Sequence, residues 1–370
     1  MVLRVGVIGG GQLARMMIPA AIRLGVEIRV LAETAHSSAE LATTAVGDYR
    51  DLDTVLAFAR GVDVVTFDHE HVPQDVLAAL VGEDIAVRPG PDPLRYAQDK
   101  LDMRERLAEL GAPQPDWATV SSAAELTAFI ADHGGVVVVK TPRGGYDGKG
   151  VRVVREAADA ADWLEVGAPL LVEERVGFVR ELAQQVARRP SGELAVYPLV
   201  ESVQREGVCA EVIAPAPHAG RIAQAAARVA TSIAEGLGVT GMLAVELFET
   251  DDERILVNEL AMRPHNSGHW SIEGAVTDQF EQHLRAVLDL PLGSTELRAP
   301  WTVMVNVLGG PADGDVDRSR RLALADQHAA AVHLYGKDPR PGRKIGHVTA
   351  YGEDLDDAMF VARAAAAAFD

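Results

Sequence analysis

The chain has 370 residues, 48% of them apolar, and a net charge of −19. That apolar content over that length predicts two or three folded cores, and the negative charge excludes general nucleic-acid binding, so local clusters of Lys and Arg are read as seats for small anions. The single cysteine, Cys209, excludes an internal disulfide and a cysteine-based zinc cage, and no apolar run reaches the roughly 20 residues of a membrane span. No basic-then-apolar leader precedes Val2–Gly9, and a cytoplasmic location is expected.

The stretch LRVGVIGGGQLARMM (3–17) reads as an apolar strand, a glycine turn and an amphipathic helix, and IRVLAE (28–33) as the next strand. This is a βαβ opening. Gly9, Gly10 and Gly11 allow a tight turn at a helix N-terminus, where orphan N–H groups attract a phosphate or carboxylate. A dinucleotide site is one reading, although Ala14 stands at the last position of that fingerprint, and simple helix-on-strand packing is another. DVVTFDHEHVP (63–73) is a strand running into the acidic turn Asp68, His69, Glu70 and His71, either a ligand contact or a solvated turn. A boundary is expected near RPGPDP (88–93), before the helical DKLDMRERLAELG (99–111).

KTPRGGYDGKG (140–150) lies between two valine-rich strands. Gly144, Gly145, Gly148 and Gly150 leave backbone N–H groups unshielded while Lys140 and Lys149 supply charge, which suits a lid over a phosphate chain better than a plain turn. It is not a Walker loop, because a strand rather than a helix follows. APLLVEERV (168–176), VRELAQQVAR (179–188) and GELAVYPLVESVQREG (192–207) continue as strands, and the helix 220–237 shows only a core-facing stripe. In GMLAVELFETDDERILVNELAMRPHNSGH (241–269), strands 242–249 and 254–260 flank a turn centred between Asp252 and Glu253. That register makes Glu246 and Glu259 cross-strand partners, and two facing carboxylates repel unless a cation such as magnesium joins them. A solvated edge pair is the alternative, since a one-residue slip separates the side chains. WTVMVNVLG (301–309) is a further strand, and Lys337, Arg340, Arg343 and Lys344 in HLYGKDPRPGRKIGHVT (333–349) form a basic cluster read as a phosphate seat.

The glycine hairpin after a strand lysine, the paired acids and NELAMRPHNSGHW resemble the ATP-grasp ligases. With GGGQL near the start and HLYGKDPRPGRKIGHVT near the end, the chain resembles, over essentially its whole length, the biotin-independent 5-(carboxyamino)imidazole ribonucleotide synthase family of purine biosynthesis. The resemblance implies a mixed α/β and α+β fold. It consists of a Rossmann-like parallel-sheet domain (1–98), an ATP-grasp domain (99–295) with a lid subdomain at about 114–170, and a small C-terminal β-rich domain (296–370). It implies an ATP- and bicarbonate-dependent ligase that carboxylates aminoimidazole ribonucleotide through carboxyphosphate, with magnesium or manganese as metal and a homodimer as assembly.

By motif position, Arg88, Lys140, Gly144, Gly145, Tyr146, Asp147, Gly148, Lys149 and Gly150 would contact the triphosphate or form the lid. Glu173, Glu174, Val176, Glu181 and Gln204 would line the nucleoside pocket, and Asn258 would lie beside the metal acids Glu246 and Glu259. Glu70, Tyr146, Asp147, Arg263, His265, Asn266, Lys337, Arg343 and Lys344 would hold the ribonucleotide, with Asp147, His265 and Arg263 as catalytic residues and Asp147 preferred as the base. The chain departs from the family at Asp68-His69-Glu70-His71, usually Glu-Phe-Glu-Asn, and at Gln204, usually histidine. A formate-using glycinamide ribonucleotide transformylase would share lid and acids but lack RPHNSGH and YGKDPRPGRKIGH; a nicotinamide-dependent dehydrogenase would need only the first turn. A non-catalytic nucleotide sensor is the third alternative.

Overall fold

The computed structural model describes residues 2–144, 150–205 and 207–370. Its first sheet is parallel, in the order Thr43–Val46, Glu27–Ala32, Arg4–Ile8, Val64–Phe67. Helix Gln12–Leu24 follows the glycine turn and ends on Gly25, whose φ of 66° suits glycine. The turn does not form an open anion seat. The Asp68 carboxylate accepts from Gly11 N–H (2.9 Å) and Ala14 N–H (2.8 Å), so it fills the helix N-terminus itself. A Cβ on Gly11 would stand 2.0 Å from Asp68 Oδ2, which is why the position needs glycine. The dinucleotide reading fails on this contact.

A second, antiparallel sheet runs Trp117–Val120, Leu170–Glu174, Val137–Lys140, Val151–Val154. Alternate valines and leucines of these strands close over Leu126 and Ile130 of helix Ala123–Asp132. The hairpin expected around the glycine tip is present, and Thr141 N–H donates to Gly150 O (3.0 Å) at its base. Residues 145–149 of the tip lie outside the described residues.

The third sheet has nine strands. Its main path runs Ile255–Ala261, Gly241–Thr250, Phe178–Arg188, Val200–Arg205, Val208–Ala214, Trp301–Leu308, Lys344–Gly352, Ala331–Leu334, with Leu194–Val196 beside Phe178–Arg188. The C-terminal strands therefore extend the central sheet through pairing of Val208–Ala214 with Trp301–Leu308. One face of them packs Val303, Val305 and Val348 on Ala362 and Ala365 of helix Leu355–Ala367. On the other, the His347 ring stacks on His333 (4.5 Å) and His269 (5.0 Å), and its Nδ1 pairs with Tyr335 Oη (2.7 Å). Burial lowers the pKa of His269 and His347 well below the usual histidine value, so these two rings are neutral. The stack fixes the strand that begins at Lys344, and the one that precedes the Lys337 loop, against the segment that carries His265.

His283 joins the first and third sheets. Its Nδ1 accepts from Met242 N–H (3.0 Å), which leaves Nε2–H for Thr66 Oγ1 (2.8 Å). Burial depresses its pKa to about 3. The unfolded chain therefore binds a proton there that the folded chain refuses, so this contribution to stability is full above an unfolded pKa of about 6.5 and is lost as pH falls toward 3. Urea unfolding of wild type against His283→Gln should show this directly: below pH ~6.5 the wild type loses about 1.4 kcal/mol more per pH unit than the variant. Parallel pH profiles would contradict it.

Candidate active site

A cleft of about 440 Å³ lies between the second sheet and the nine-stranded third sheet. Its acidic floor comes from three neighbouring strands. Glu246 is the cross-strand partner of Glu259, as expected, but the register arises differently. The hairpin closes on a three-residue loop centred at Asp252, with Glu253 at φ 59° and Thr250 N–H bonded to Arg254 O (2.9 Å). That register alone would set Glu246 opposite Asn258. A β-bulge between the pairs Glu246–Glu259 and Leu247–Val257 inserts Asn258 as an extra residue and restores the acid pair. The bulge has a second effect: Asn258 and Glu259, which a regular strand would point to opposite faces, both line the cleft.

Electrostatics here are strained in one direction. Burial pushes the Glu246 carboxyl up to about 8, and repulsion from Glu259 and Glu181 adds to it. Glu181 is raised to about 7 by burial. Cations stand opposite. Lys140 Nζ donates to Asn258 Oδ1 (3.1 Å) and pairs with Glu173 Oε2 (2.8 Å), while Lys100 Nζ lies 3.7 Å from Glu259 Oε1 and donates to Gly144 O (3.1 Å). Lys100 begins helix Lys100–Glu109, whose N-cap Asp99 also accepts from Arg143 Nε (2.8 Å), and Lys100 N–H donates to Pro142 O (2.9 Å). The stem of the glycine tip is thus tied to the end of this helix.

Glu173 is 3% exposed and takes a second partner, Arg104 Nε, at 2.6 Å. Burial raises the Glu173 pKa, but Arg104 and Lys140 outweigh it and the carboxyl is held below its usual value. Apolar side chains line the same cleft at Val138, Val153, Val176, Phe178 and Phe248, the two phenylalanine rings stacked at 4.7 Å. Toward the N-terminal domain, Glu70 Oε2 accepts from Arg263 Nε (2.7 Å) and Oε1 from Met262 N–H (3.2 Å). Gln279 clamps His265 through both backbone groups, at 2.9 Å each. Ser267 N–H donates to His265 Nδ1 (3.4 Å), which places the ring proton on Nε2, 3.5 Å from Glu246 Oε1. Burial, then Arg263 and Lys344, keep this histidine neutral. The Asn266 amide, 8% exposed, makes no hydrogen bond among the described residues.

Family models match an ATP-grasp domain over residues 105–280, a ribonucleotide synthetase preATP-grasp domain over 2–98 and a phosphoribosylaminoimidazole carboxylase C-terminal domain over 302–359. The chain is 51% identical to the N5-carboxyaminoimidazole ribonucleotide synthase of Mycobacterium tuberculosis, across 95% of this chain and 84% of that one. It belongs to the N5-carboxyaminoimidazole ribonucleotide synthase family. The synthase of Corynebacterium ammoniagenes is likewise 51% identical, over 98% of this chain and 91% of its own. Among solved structures, the synthetase of Thermotoga maritima superposes with a TM-score of 0.87 at 36% identity, covering 100% and 99% of the two chains. The Aspergillus clavatus synthase in complex with ADP and 5-aminoimidazole ribonucleotide gives 0.90 at 32%, covering 99% and 98%. As an ATP-grasp ligase of this family, the chain is an ATP-dependent enzyme.

Within this synthase frame, the cleft brings together Lys140, Glu173, Glu174, Val176, Glu181, Gln204, Glu246, Asn258 and Glu259 with Glu70, Arg263, His265, Asn266 and Lys344. Gln204 reaches it while its Nε2 donates to Ser202 Oγ (2.9 Å). Gly144 lines an adjoining hollow of about 410 Å³ that shares Glu70, Lys100 and Glu259 with the cleft. Gly150 closes the hairpin base. Gly145, Tyr146, Asp147, Gly148 and Lys149 lie outside the described residues. Arg88, placed with the triphosphate by motif position, does not line the cleft; its Nη1 donates to Val287 O (2.7 Å) at the end of helix Gln279–Val287. Lys337 and Arg343 lie outside the lining too. Lys337 Nζ donates to Gln12 Oε1 (2.7 Å) and stands 5.7 Å from the Tyr335 ring centre, and Arg343 Nη1 donates to Asp338 O (3.2 Å).

Three residues were not singled out from sequence. Lys100 lines the cleft, which Arg88 does not, and its place at a helix start after Asp99 was the available signal. Gln12 followed the glycine turn directly. Arg104 gave no signal, because an arginine in DKLDMRERLAELG reads as a solvated helix face. The Lys100–Arg88 contrast is testable by steady-state kinetics with melting curves: Lys100→Met should raise the Michaelis constant for ATP by about tenfold or more, as loss of a charge-assisted contact does, while Arg88→Met should leave it within about twofold and lower the melting temperature. The reverse ordering would return Arg88 to the nucleotide.

Proposed function

We propose that this enzyme uses ATP and bicarbonate to carboxylate the exocyclic amine of 5-aminoimidazole ribonucleotide, giving N5-carboxyaminoimidazole ribonucleotide, ADP and phosphate. The observation that carries the reading is the facing pair Glu246 and Glu259 at the meeting point of an apolar slot and a cationic end of one cleft. The slot around Val138, Val153, Phe178 and Phe248 suits a purine base, with Glu174 and Val176 at its edge and Glu181 toward the ribose. Lys100 and Lys140 then face the phosphates.

The donor set fits magnesium or manganese. Among the described residues no group of three or more metal-ligating side chains gathers, and magnesium commonly takes one or two carboxylates with phosphate oxygens and water, as Glu246 and Glu259 would provide. When bound, the ion supplies charge neutralisation at the triphosphate. Held there, it would offset the repulsion from Glu259 and Glu181 that adds to the burial-driven rise of the Glu246 pKa.

Bicarbonate is a poor electrophile, and transfer of the γ-phosphoryl group to one of its oxygens turns that oxygen into a leaving group. Lys100 and Lys140 stabilise the charge that develops on the transferred group. The C–O bond to phosphate in carboxyphosphate breaks, the amine nitrogen bonds to the carbon, and the amine proton leaves. We assign that proton to Asp147. His265 is unsuited as acceptor, since its Nε2 carries the proton and its Nδ1 is bonded to Ser267. Glu70 and Gln279 instead hold Arg263 and His265 as donors toward the ribonucleotide and the carboxylating group. Lys344, with Lys337 and Arg343 beyond the cleft wall, provides the seat for its phosphate. The closed lid excludes water, which would otherwise hydrolyse carboxyphosphate.

ADP release should require bicarbonate and the ribonucleotide together; release with formate and glycinamide ribonucleotide instead would overturn the proposal. In the same assay Glu259→Gln, which keeps shape and removes charge, should cut turnover by at least ~100-fold, as loss of a preorganised electrostatic group does. Relief of the Glu246 repulsion should leave the metal-free melting temperature equal or higher. Near-normal turnover would remove Glu259 from the metal site.

A further inference from the structure

We infer that Arg104 is a positioning residue for the phosphate end of the cleft: it holds the bulge at Val257–Asn258 in the one form that turns Asn258 and Glu259 to the same face. The inference rests on the reading of Glu246 and Glu259 as metal carboxylates.

A bulge frees backbone groups from the ladder, and freed groups need partners where water is excluded. Strand Ile255–Ala261 is the edge of the large sheet, so no further strand supplies them. Pro113 O accepts from Val257 N–H (2.8 Å). Arg104 does the rest. Nη1 donates to Val257 O (2.7 Å) and Nη2 to Asn258 O (2.8 Å), so two consecutive carbonyls are drawn to one guanidinium. In a regular strand those carbonyls point to opposite edges. Their shared capture is the geometry of the bulge.

The remaining nitrogen, Nε, is bound by Glu173 Oε1 (2.6 Å), whose other oxygen holds Lys140, which in turn holds Asn258 Oδ1. The circuit closes on Asn258, gripped at its carbonyl by Arg104 and at its side chain through Lys140. Arg104 has 0% exposure, so its charge is retained inside the protein only with this full set of partners. A fork with donors at fixed spacing can span two carbonyls and a carboxylate; an ammonium at the end of a flexible stem cannot.

Arg104→Lys is the test, because it keeps the charge and removes the fork. Three readouts apply: amide hydrogen exchange over 255–262 in the nucleotide-free protein, Mn2+ affinity in the presence of ADP by electron paramagnetic resonance, and the Michaelis constant for the ribonucleotide. Exchange at Asn258 and Glu259 should quicken and Mn2+ affinity fall by about 10- to 100-fold, the range for loss of a residue that orients metal ligands, with the ribonucleotide constant within about twofold. Ile233→Val, a truncation in the core beneath helix Gly220–Gly236, should lower the melting temperature without moving Mn2+ affinity. A metal-competent wild type whose Arg104→Lys form keeps the same affinity and exchange overturns the positioning role alone. A wild type that neither binds Mn2+ with ADP nor releases ADP overturns the reading of the cleft. If Arg104→Lys does not fold, Arg104→Gln takes its place, and failure of both assigns Arg104 to folding only and overturns the proposal.

Discussion

The Arg104–Glu173 pair is the interaction on which the other parts depend. It joins three elements far apart in sequence: the helix that starts at Lys100, strand Leu170–Glu174 of the second sheet and the edge strand of the large sheet. Such a pair is weak evidence of stability, because taking two charges out of water costs several kcal/mol or more before their attraction repays it. It is good evidence of specification. An arginine with no exposed surface tolerates only an arrangement in which every partner is in place, and the same partners fix how strand Leu170–Glu174 meets the edge strand and which residues of that edge strand face inward.

The acid floor shows the complementary logic. Glu246, Glu259 and Glu181 stand on neighbouring strands, and burial together with the other two carboxylates raises the cost of ionising Glu246. Stability alone would not gather them. The sheet tolerates them because the surrounding frame is over-determined: the His283 joint, the Gln279 clamp on His265 and the His333–His347–His269 stack each hold one part of the frame. The strain is local, and the order that sustains it is distributed over all three sheets.

Much of this was legible from sequence where the signal was local. The βαβ opening, the valine hairpin and the family motifs depend on neighbouring residues, and they located the strands and the cleft. The Glu246–Glu259 partnership was anticipated, yet by a register that the turn does not have; two departures, a loop centred on Asp252 and a bulge at Asn258, cancel. A bulge depends on what meets the far side of a strand, and pattern reading has no access to that. Arg88 and Arg104 show the same limit from two sides. Motif position set Arg88 with the triphosphate, though its guanidinium ends on the Val287 backbone carbonyl, and the charged run around Arg104 hid a residue that tertiary contacts bury completely. Charge in a helix reads as surface until something buries it.

Asp68 brings a further consequence. A carboxylate seated on the amides of Gly11 and Ala14 is a ligand that the chain carries within itself, tethered through 54 to 57 residues of folded structure. A competing phosphate from solution would meet an occupant at intramolecular effective concentration, a contest in which free ligands at cellular levels fare poorly. The N-terminal unit thereby keeps the outline of a nucleotide fold while its usual vacancy is permanently let. What remains is a rigid abutment, from which Glu70 reaches across to brace Arg263.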